Sequence, residues 1–321
     1  MKKILITGAT GFVGKHLIDH LLEINSTDKI IGTYISDLSQ EDSLNYGEKV
    51  DFVKIDLNNE QDVLSLISDS KPDYIYHLAA LSSASDSFDN PKETLINNVV
   101  AQVNLLEAAR KSNLIDTRIL IISSAEIYGN VKVQDLPIRE ETPLNPTSPY
   151  AVSKITQDYL ALQYFNSYNL KTIRVRPFNH IGPGQSPNFV VSAFTKKVAE
   201  IEKAGEDSPT MKVGNLESKR DFTDVRDVVK AYSLLIEKGK PGDVYNLGSG
   251  KSYKISEILN KILALSQTKI KTVQDELLLR PFDNADLTCD CSKLINATGW
   301  KPEIPLEKTL KDTLDYWRNI I

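Results

Sequence analysis

Short apolar runs alternate along the chain with longer segments in which apolar residues recur every three or four positions. The short runs are residues 3–7, 29–34, 52–55, 74–78, 119–123, 172–175 and 244–247. Runs of this kind fit central strands buried on both faces. Between most of them the spacing predicts amphipathic helices, residues 13–22 and 99–109 among them. The alternation of strand and helix predicts an α/β protein, a parallel sheet with helices on both faces.

From about Phe178 the texture changes. Loops lengthen, Pro and Gly become commoner and charged residues stand alone, while helical spacing persists at 190–203, 225–237 and 255–264. This predicts a smaller lobe built on the first. Residues 225–247 again read as helix then strand, which would rejoin the main sheet. The expected division is therefore discontinuous: 1–178 and 224–247 against 179–223 and 248–321. No internal repeat or low-complexity segment interrupts it.

Composition adds exclusions. The 321 residues are 41% hydrophobic and 25% charged, ordinary for a globular protein. A net charge of −5 argues against general nucleic-acid binding. No stretch approaches the ~20 apolar residues of a membrane span. The opening run, Met1 to Gly8, is too short for a signal peptide and leads into a glycine loop, so it reads as a buried first strand. The two cysteines, Cys289 and Cys291, would point to opposite faces of a strand and are not expected to bridge. The absence of a disulfide framework fits a reducing, cytoplasmic compartment.

The first candidate chemistry lies between the first strand and the first helix, in Gly8-Ala9-Thr10-Gly11-Phe12-Val13-Gly14. Gly8 permits a tight turn, Gly11 lets backbone approach a pyrophosphate, and Gly14 lets helix and strand pack closely. The helix N-terminus then offers N–H groups and a positive dipole end to phosphate. The simpler alternative is a tight turn with no ligand. Asp56-Leu57, closing the third run, can meet an adenine amino group, and Leu78-Ala79-Ala80 offers small residues against which a cofactor can lie. Thr33 occupies the place where an acid would read an adenosine ribose, and the nearest acid, Asp37, comes later. The missing acid leans toward NADP(H); the missing arginine leaves NAD(H) open.

A second constellation follows the fifth run. Tyr150 and Lys154 stand four apart on a helix that begins after Pro149, so they share one face. An ammonium beside a phenol lowers the phenol pKa and makes it a usable acid or base. Such spacing also arises in ordinary surface helices. Ser124 and Glu126, in Ser123-Ser124-Ala125-Glu126, sit where parallel sheets bind ligands, beyond a strand's carboxyl end. The serine can hydrogen-bond an oxygen whose bond order changes. Glu126 can act as a base or orient a hydroxyl, or be a solvated loop carboxylate. His16 and His20 share a helix face, but no cysteine or carboxylate joins them, and no metal site is expected there or at the cysteines. His180 reads as a packing residue.

With these residues in view, the chain resembles the extended short-chain dehydrogenase/reductase family of nucleotide-sugar enzymes. The match runs over nearly the whole chain: 7–14, Asp56, 77–80, Asn98, Ser124, Tyr150 with Lys154, 176–180, Arg220-Asp221 and Arg280-Pro281. The resemblance implies a Rossmann-type doubly wound sheet that binds the dinucleotide, with the discontinuous lobe binding the nucleotide sugar. It implies cofactor contacts from Gly8, Thr10, Gly11, Phe12, Val13, Gly14, Asp56, Leu57, Leu78, Ala79, Ala80, Asn98 and Phe178, and from Tyr150 and Lys154 at the nicotinamide ribose. Tyr150 would move the proton at the sugar C4 oxygen, assisted by Ser124. Substrate contacts would come from Ser82, Ser124, Ala125, Glu126, Asn179, Gly214, Asn215, Arg220 and Arg280, the two arginines gripping the diphosphate.

Gly214 to Asp221 is similar to the GDP-mannose branch of that family. Phe178-Asn179-His180-Ile181-Gly182-Pro183-Gly184-Gln185 is similar to enzymes that reduce GDP-4-keto-6-deoxy-D-mannose to GDP-D-rhamnose. The 4,6-dehydratases typically carry paired arginines after Asn-His, absent here, and threonine at the Ser124 position. Their glutamate base has a counterpart in Glu126, which leaves the dehydratase activity open beside a 4-epimerase. A non-catalytic dinucleotide sensor on the same fold is the reading from another class. The resemblance also implies a homodimer through the helices beginning near Asn98 and Tyr150. Leu105, Leu160 and Leu162 could serve that contact or the core.

Overall fold

A computed structural model describes residues 1–36, 38, 45–278 and 286–321. Seven parallel strands form the main sheet: β1 (Lys3–Thr7), β2 (Lys29–Tyr34), β3 (Val50–Lys54), β4 (Tyr74–His77), β5 (Arg118–Ile122), β6 (Lys171–Pro177) and β10 (Val244–Leu247). Their order across the sheet is β3-β2-β1-β4-β5-β6-β10. Strand order therefore reverses between β1 and β4, and ligands of open α/β sheets bind in the crevice above such a point.

Alternation within each strand divides the core. Ile4 and Ile6 face helices α1 (Phe12–Ile24) and α7 (Val225–Lys238), packing with Leu17, Ile18, Val228 and Leu235. Leu5 and Ile75 face the other way, among residues of α2 (Glu60–Ser70), α4 (Pro91–Lys111) and α5 (Pro149–Tyr168) such as Val63, Leu105 and Ala161. Both faces of the strands are apolar because both are covered. A short helix, α3 (Asp86–Asp89), precedes α4.

Helix α4 begins at Pro91, well before the apolar spacing at Val99. Its first turns are polar in sequence, yet Thr94 and Asn98 are buried. They serve hydrogen bonding rather than a hydrophobic stripe, which is why the pattern misses them.

The rest of the chain adds two small sheets. Strands β7 (Asn179–Ile181), β9 (Lys219–Asp224), β11 (Ser252–Lys254) and β13 (Asp286–Leu287) make one; β8 (Thr210–Val213) and β12 (Lys271–Gln274) make the other. Helices α6 (Val190–Ala204), α8 (Ile255–Ala264) and α10 (Leu306–Ile320) pack with them around Phe194, Ile258 and Leu314. Strand β9 is polar and nonetheless buried because its acids saturate nearby backbone. Asp221 accepts from Ser249 N and Gly250 N, each at 2.8 Å, and Asp224 caps α7 through Arg226 N at 2.8 Å. Helix α9 (Ser292–Thr298) starts just after Cys291. Both cysteines are free, and the two thiols hydrogen-bond to each other. They do not diverge as strand neighbours would, because Cys291 opens a helix.

Candidate active site

A cavity of about 840 Å³ opens over the carboxyl ends of β1, β4, β5 and β6. Its floor at one end is the glycine loop. Gly8 has φ +70, and a Cβ on it would lie 3.0 Å from backbone atoms of Ala79. A Cβ on Gly14 would stand 2.4 Å from the Gly8 carbonyl, so helix and strand can meet this closely only without one. Gly11, the N-cap of α1, brings no side chain to the first free N–H groups, and the first turn holds no acid. An anion finds an open helix N-terminus there, the physical requirement for a dinucleotide phosphate. Thr10, Phe12 and Val13 complete this wall.

Beneath the loop, Thr7 Oγ1 accepts from Ala79 N at 3.2 Å and shares a hydrogen bond with His77 Nδ1 at 2.9 Å. Burial first, and the charge of Lys154 second, push the His77 pKa down to about 3, so the ring is neutral. Leu78, Ala79 and Ala80 line the cavity beyond it. At the end formed by β2, the walls are Thr33, Tyr34, Ile35 and Ser36, faced by Asp56 and Leu57. Asp37 lies outside the described residues.

The other end carries the titratable groups. Ser148 caps α5 by accepting from Ala151 N at 3.1 Å, and Pro149 follows at the first turn, so Tyr150 is fixed at the helix start. Tyr150 is buried and its phenol hydrogen-bonds Ser124, whose Oγ also accepts from Glu126 N at 3.2 Å. Lys154 Nζ donates to Ile122 O at 2.9 Å and lies 5.9 Å from the Tyr150 ring centre. Burial pushes Tyr150 up to about 12, against the Ser124 hydrogen bond and helped by the charge of Glu126. Burial alone pushes Lys154 down to about 7. The expected lowering of the tyrosine by the lysine is not what the structure gives: desolvation leads in both groups and moves each away from its charged form.

Asn98 stands apart from the other expected contacts, since it does not line the cavity. It is fully buried, bonds both backbone groups of Leu81 at 2.8 and 3.1 Å, and donates to Ser153 Oγ at 2.9 Å. It pins the Leu81 loop to the helix turn between Tyr150 and Lys154.

Phe178, Ser82, Ala125, Glu126 and Asn179 line the cavity near Tyr150, and Gly214, Asn215 and Arg220 line it from the smaller sheet. Arg220 is buried and donates to Lys219 O at 2.7 Å. Arg280 lies outside the described residues. His180 also lines the cavity, stacked on Phe12 with ring centres 6.1 Å apart. Its sequence reading as packing missed this wall position. Gln185, Phe189, Phe194 and Tyr232 were missed as well. In sequence they are indistinguishable from loop and helix-core residues. His16 and His20 hydrogen-bond Pro183 O and Ser233 Oγ respectively. Among the described residues, no group of three or more His, Cys, Asp or Glu is placed to hold a metal.

The reversed parallel order, the open glycine loop and the Ser124–Tyr150–Lys154 corner define a nicotinamide-dependent enzyme of the short-chain dehydrogenase/reductase class. Within that class, the chain belongs to the family described as GDP-mannose 4,6 dehydratase, whose model matches residues 5–313. It is 34% identical over 319 residues to the GDP-6-deoxy-D-mannose reductase of Pseudomonas aeruginosa, covering 99% of this chain and 98% of that one. It is 29% identical to the GDP-mannose 4,6-dehydratase of Yersinia enterocolitica, covering 96% and 91%. Its structure is similar to that of RMD from Pseudomonas aeruginosa complexed with NADPH, with a TM-score of 0.87, 32% identity and 100% of both chains covered.

Proposed function

We propose that this protein reduces the C4 ketone of GDP-4-keto-6-deoxy-D-mannose to GDP-D-rhamnose, with NADPH ahead of NADH. The observation that carries the reading is the Tyr150 phenol. It is held protonated and hydrogen-bonded to Ser124 in the same cavity as the glycine loop. A reductase needs a proton donor at that corner, whereas an enzyme that begins by oxidising a hydroxyl needs a base.

The bound reduced nicotinamide supplies hydride, which no side chain here can do. Gly8, Gly11 and Gly14 would hold the diphosphate, Asp56 and Leu57 would meet the adenine, and Leu78 to Ala80 would support the cofactor between them. Tyr150 gives its proton to the C4 oxygen as negative charge develops there, and solvent restores the phenol. Ser124 fixes the phenol's direction and hydrogen-bonds the same oxygen. Protonated Lys154 stabilises the charge. The lobe of residues 179–223 and 248–321 holds the sugar nucleotide, with Arg220 at the diphosphate and Asn179, Ser82 and Asn215 along the sugar and base. The NADPH preference is supported by Thr33 standing where an acid would read the ribose, and by the NADPH complex of the similar Pseudomonas aeruginosa protein.

The 4,6-dehydratase is the second reading, favoured by one feature: Glu126 lines the cavity close enough for its charge to act on Tyr150. We assign the protein to the cytoplasm and to a homodimer formed by the outer faces of α4 and α5. The function is tested by product identity. Incubation with NADPH and the 4-keto sugar nucleotide should give a 6-deoxyhexose bearing a C4 hydroxyl, read by NMR. Recovery of unchanged keto sugar overturns the assignment.

A further inference from the structure

The first N–H groups of an α-helix have no partner within it. At the start of α5, Pro149 has none to offer and Ser148 takes the N–H of Ala151. The N–H of Tyr150 goes outside the helix, to Ser87 Oγ at 3.1 Å. Ser87 belongs to the short helix α3 and is fully buried. Its hydroxyl proton goes to Ala84 O at 2.7 Å, which fixes the direction of the hydroxyl. The Tyr150 carbonyl is tied to the same loop by a second route. It accepts from Ser153 Oγ at 2.7 Å, and Ser153 Oγ accepts from Asn98 Nδ2 at 2.9 Å. Asn98 in turn holds both backbone groups of Leu81. The loop from Leu81 to Ala84 is therefore fastened at its two ends to the two backbone groups of Tyr150. Between those ends stand Ser82 and Ser83, which line the cavity together with Tyr150.

From this arrangement we infer that Ser87 is a positioning residue for the reduction: its hydroxyl sets where the Tyr150 phenol stands relative to the loop that carries Ser82. The inference rests on the reading of Tyr150 as the proton donor. Ser87 does not line the cavity, so it acts through Tyr150 and Ala84 and touches no ligand itself. Proton transfer depends on distance and direction, and a displacement of about 1 Å can cost roughly a hundredfold in rate. Without the Ser87 hydroxyl, Tyr150 N and Ala84 O lose the partner they share. The first turn of α5 and the loop can then part at that end, while the link through Asn98 and Ser153 persists. The glycine loop belongs to neither link, so the site for the cofactor's diphosphate does not depend on Ser87.

The test is a double-mutant cycle on the full-length enzyme. Single-turnover oxidation of NADPH by saturating GDP-4-keto-6-deoxy-D-mannose is timed in wild type, Ser87→Ala, Tyr150→Phe and the double variant, and NADPH affinity is measured by calorimetry on each. Ser87→Ala should slow the wild-type reaction about tenfold, the equivalent of one lost hydrogen bond, with NADPH affinity unchanged. In the Tyr150→Phe background the same substitution should change the rate by less than about twofold, because no phenol remains to be positioned. An equal loss in both backgrounds overturns the inference, since the hydroxyl then supports the cavity in general. An unchanged rate in Ser87→Ala overturns it, as does a Ser87→Ala protein that no longer folds or binds NADPH. If Tyr150→Phe itself turns over like wild type, the proton-donor reading falls and the inference with it, an outcome distinct from a cycle in which Tyr150 matters and Ser87 does not.

Discussion

Tyr150 and Lys154 share a buried corner, and burial moves them in opposite directions, the phenol up to about 12 and the ammonium down to about 7. Each shift disfavours the charged form. The result is a tyrosine that keeps its proton until substrate arrives and a lysine that titrates in the working range. Replacing Tyr150 by Phe removes the proton donor without emptying the cavity. Turnover should fall by about 10²- to 10⁴-fold, with NADPH affinity, read by fluorescence titration, close to wild type. Wild-type turnover in that variant would contradict the role. The lysine sets the pH dependence. Its ammonium is the form that stabilises developing negative charge, and it is lost as pH rises through about 7. The kcat/KM for the keto sugar should therefore decline above neutrality, while Tyr150 remains protonated throughout. Lys154→Met should be slower and lack that decline; an unchanged profile would assign the limb to another group. The Tyr–Lys pair was legible because its meaning lies in spacing. Tyr232 was not, because it occupies an ordinary core position of an amphipathic helix.

Helix α5 is held in place by charge. Asp158, fully buried, lies between Arg174 Nη1 at 2.8 Å and Arg176 Nε at 2.9 Å. Arg176 also donates to Tyr128 OH at 2.9 Å, and Tyr128 donates to Asn246 Oδ1 at 2.7 Å. The network joins the helix carrying Tyr150 to the turn carrying Ser124 and to strands β6 and β10. Removing the carboxylate leaves two buried guanidinium groups uncompensated. Asp158→Ala should lose about 3–5 kcal/mol of stability, measured as a lower urea midpoint; a loss below about 1 kcal/mol would mean that water replaces the carboxylate. The main-sheet strands were readable because both faces are covered and their residues are continuously apolar. Strand β9 and the start of α4 were not, since their buried residues are polar and bind backbone or line the cavity. Local pattern fails where side chains are chosen for partners instead of burial.

Across the molecule as a whole, apolar surface remains on the outer sides of α4 and α5. Ile96 is 46% exposed, Val152 43% and Tyr159 53%. Leu105, by contrast, is in the core, and Leu160 packs against it. A dimer that covers the exposed set should be visible by light scattering in wild type and lost in the Val152→Glu/Tyr159→Glu double variant. A monomeric wild type would contradict the proposed interface. Among the described residues, no helix is long and apolar enough to cross a membrane. The α/β class and the cavity's position over the sheet were implied by alternation and the glycine loop, whereas the small sheets that close the cavity had no periodic signature.

Net reduction consumes one reduced nicotinamide for each ketone, and a single spectrophotometric assay reads it. Enzyme and NADPH are mixed with GDP-4-keto-6-deoxy-D-mannose, with NADH in a parallel cuvette. The expected outcome is a fall in reduced-nicotinamide absorbance stoichiometric with the keto sugar, faster with NADPH. No fall with either cofactor would contradict the reductase and turn attention to Glu126, with GDP-mannose and oxidised cofactor as the next substrates.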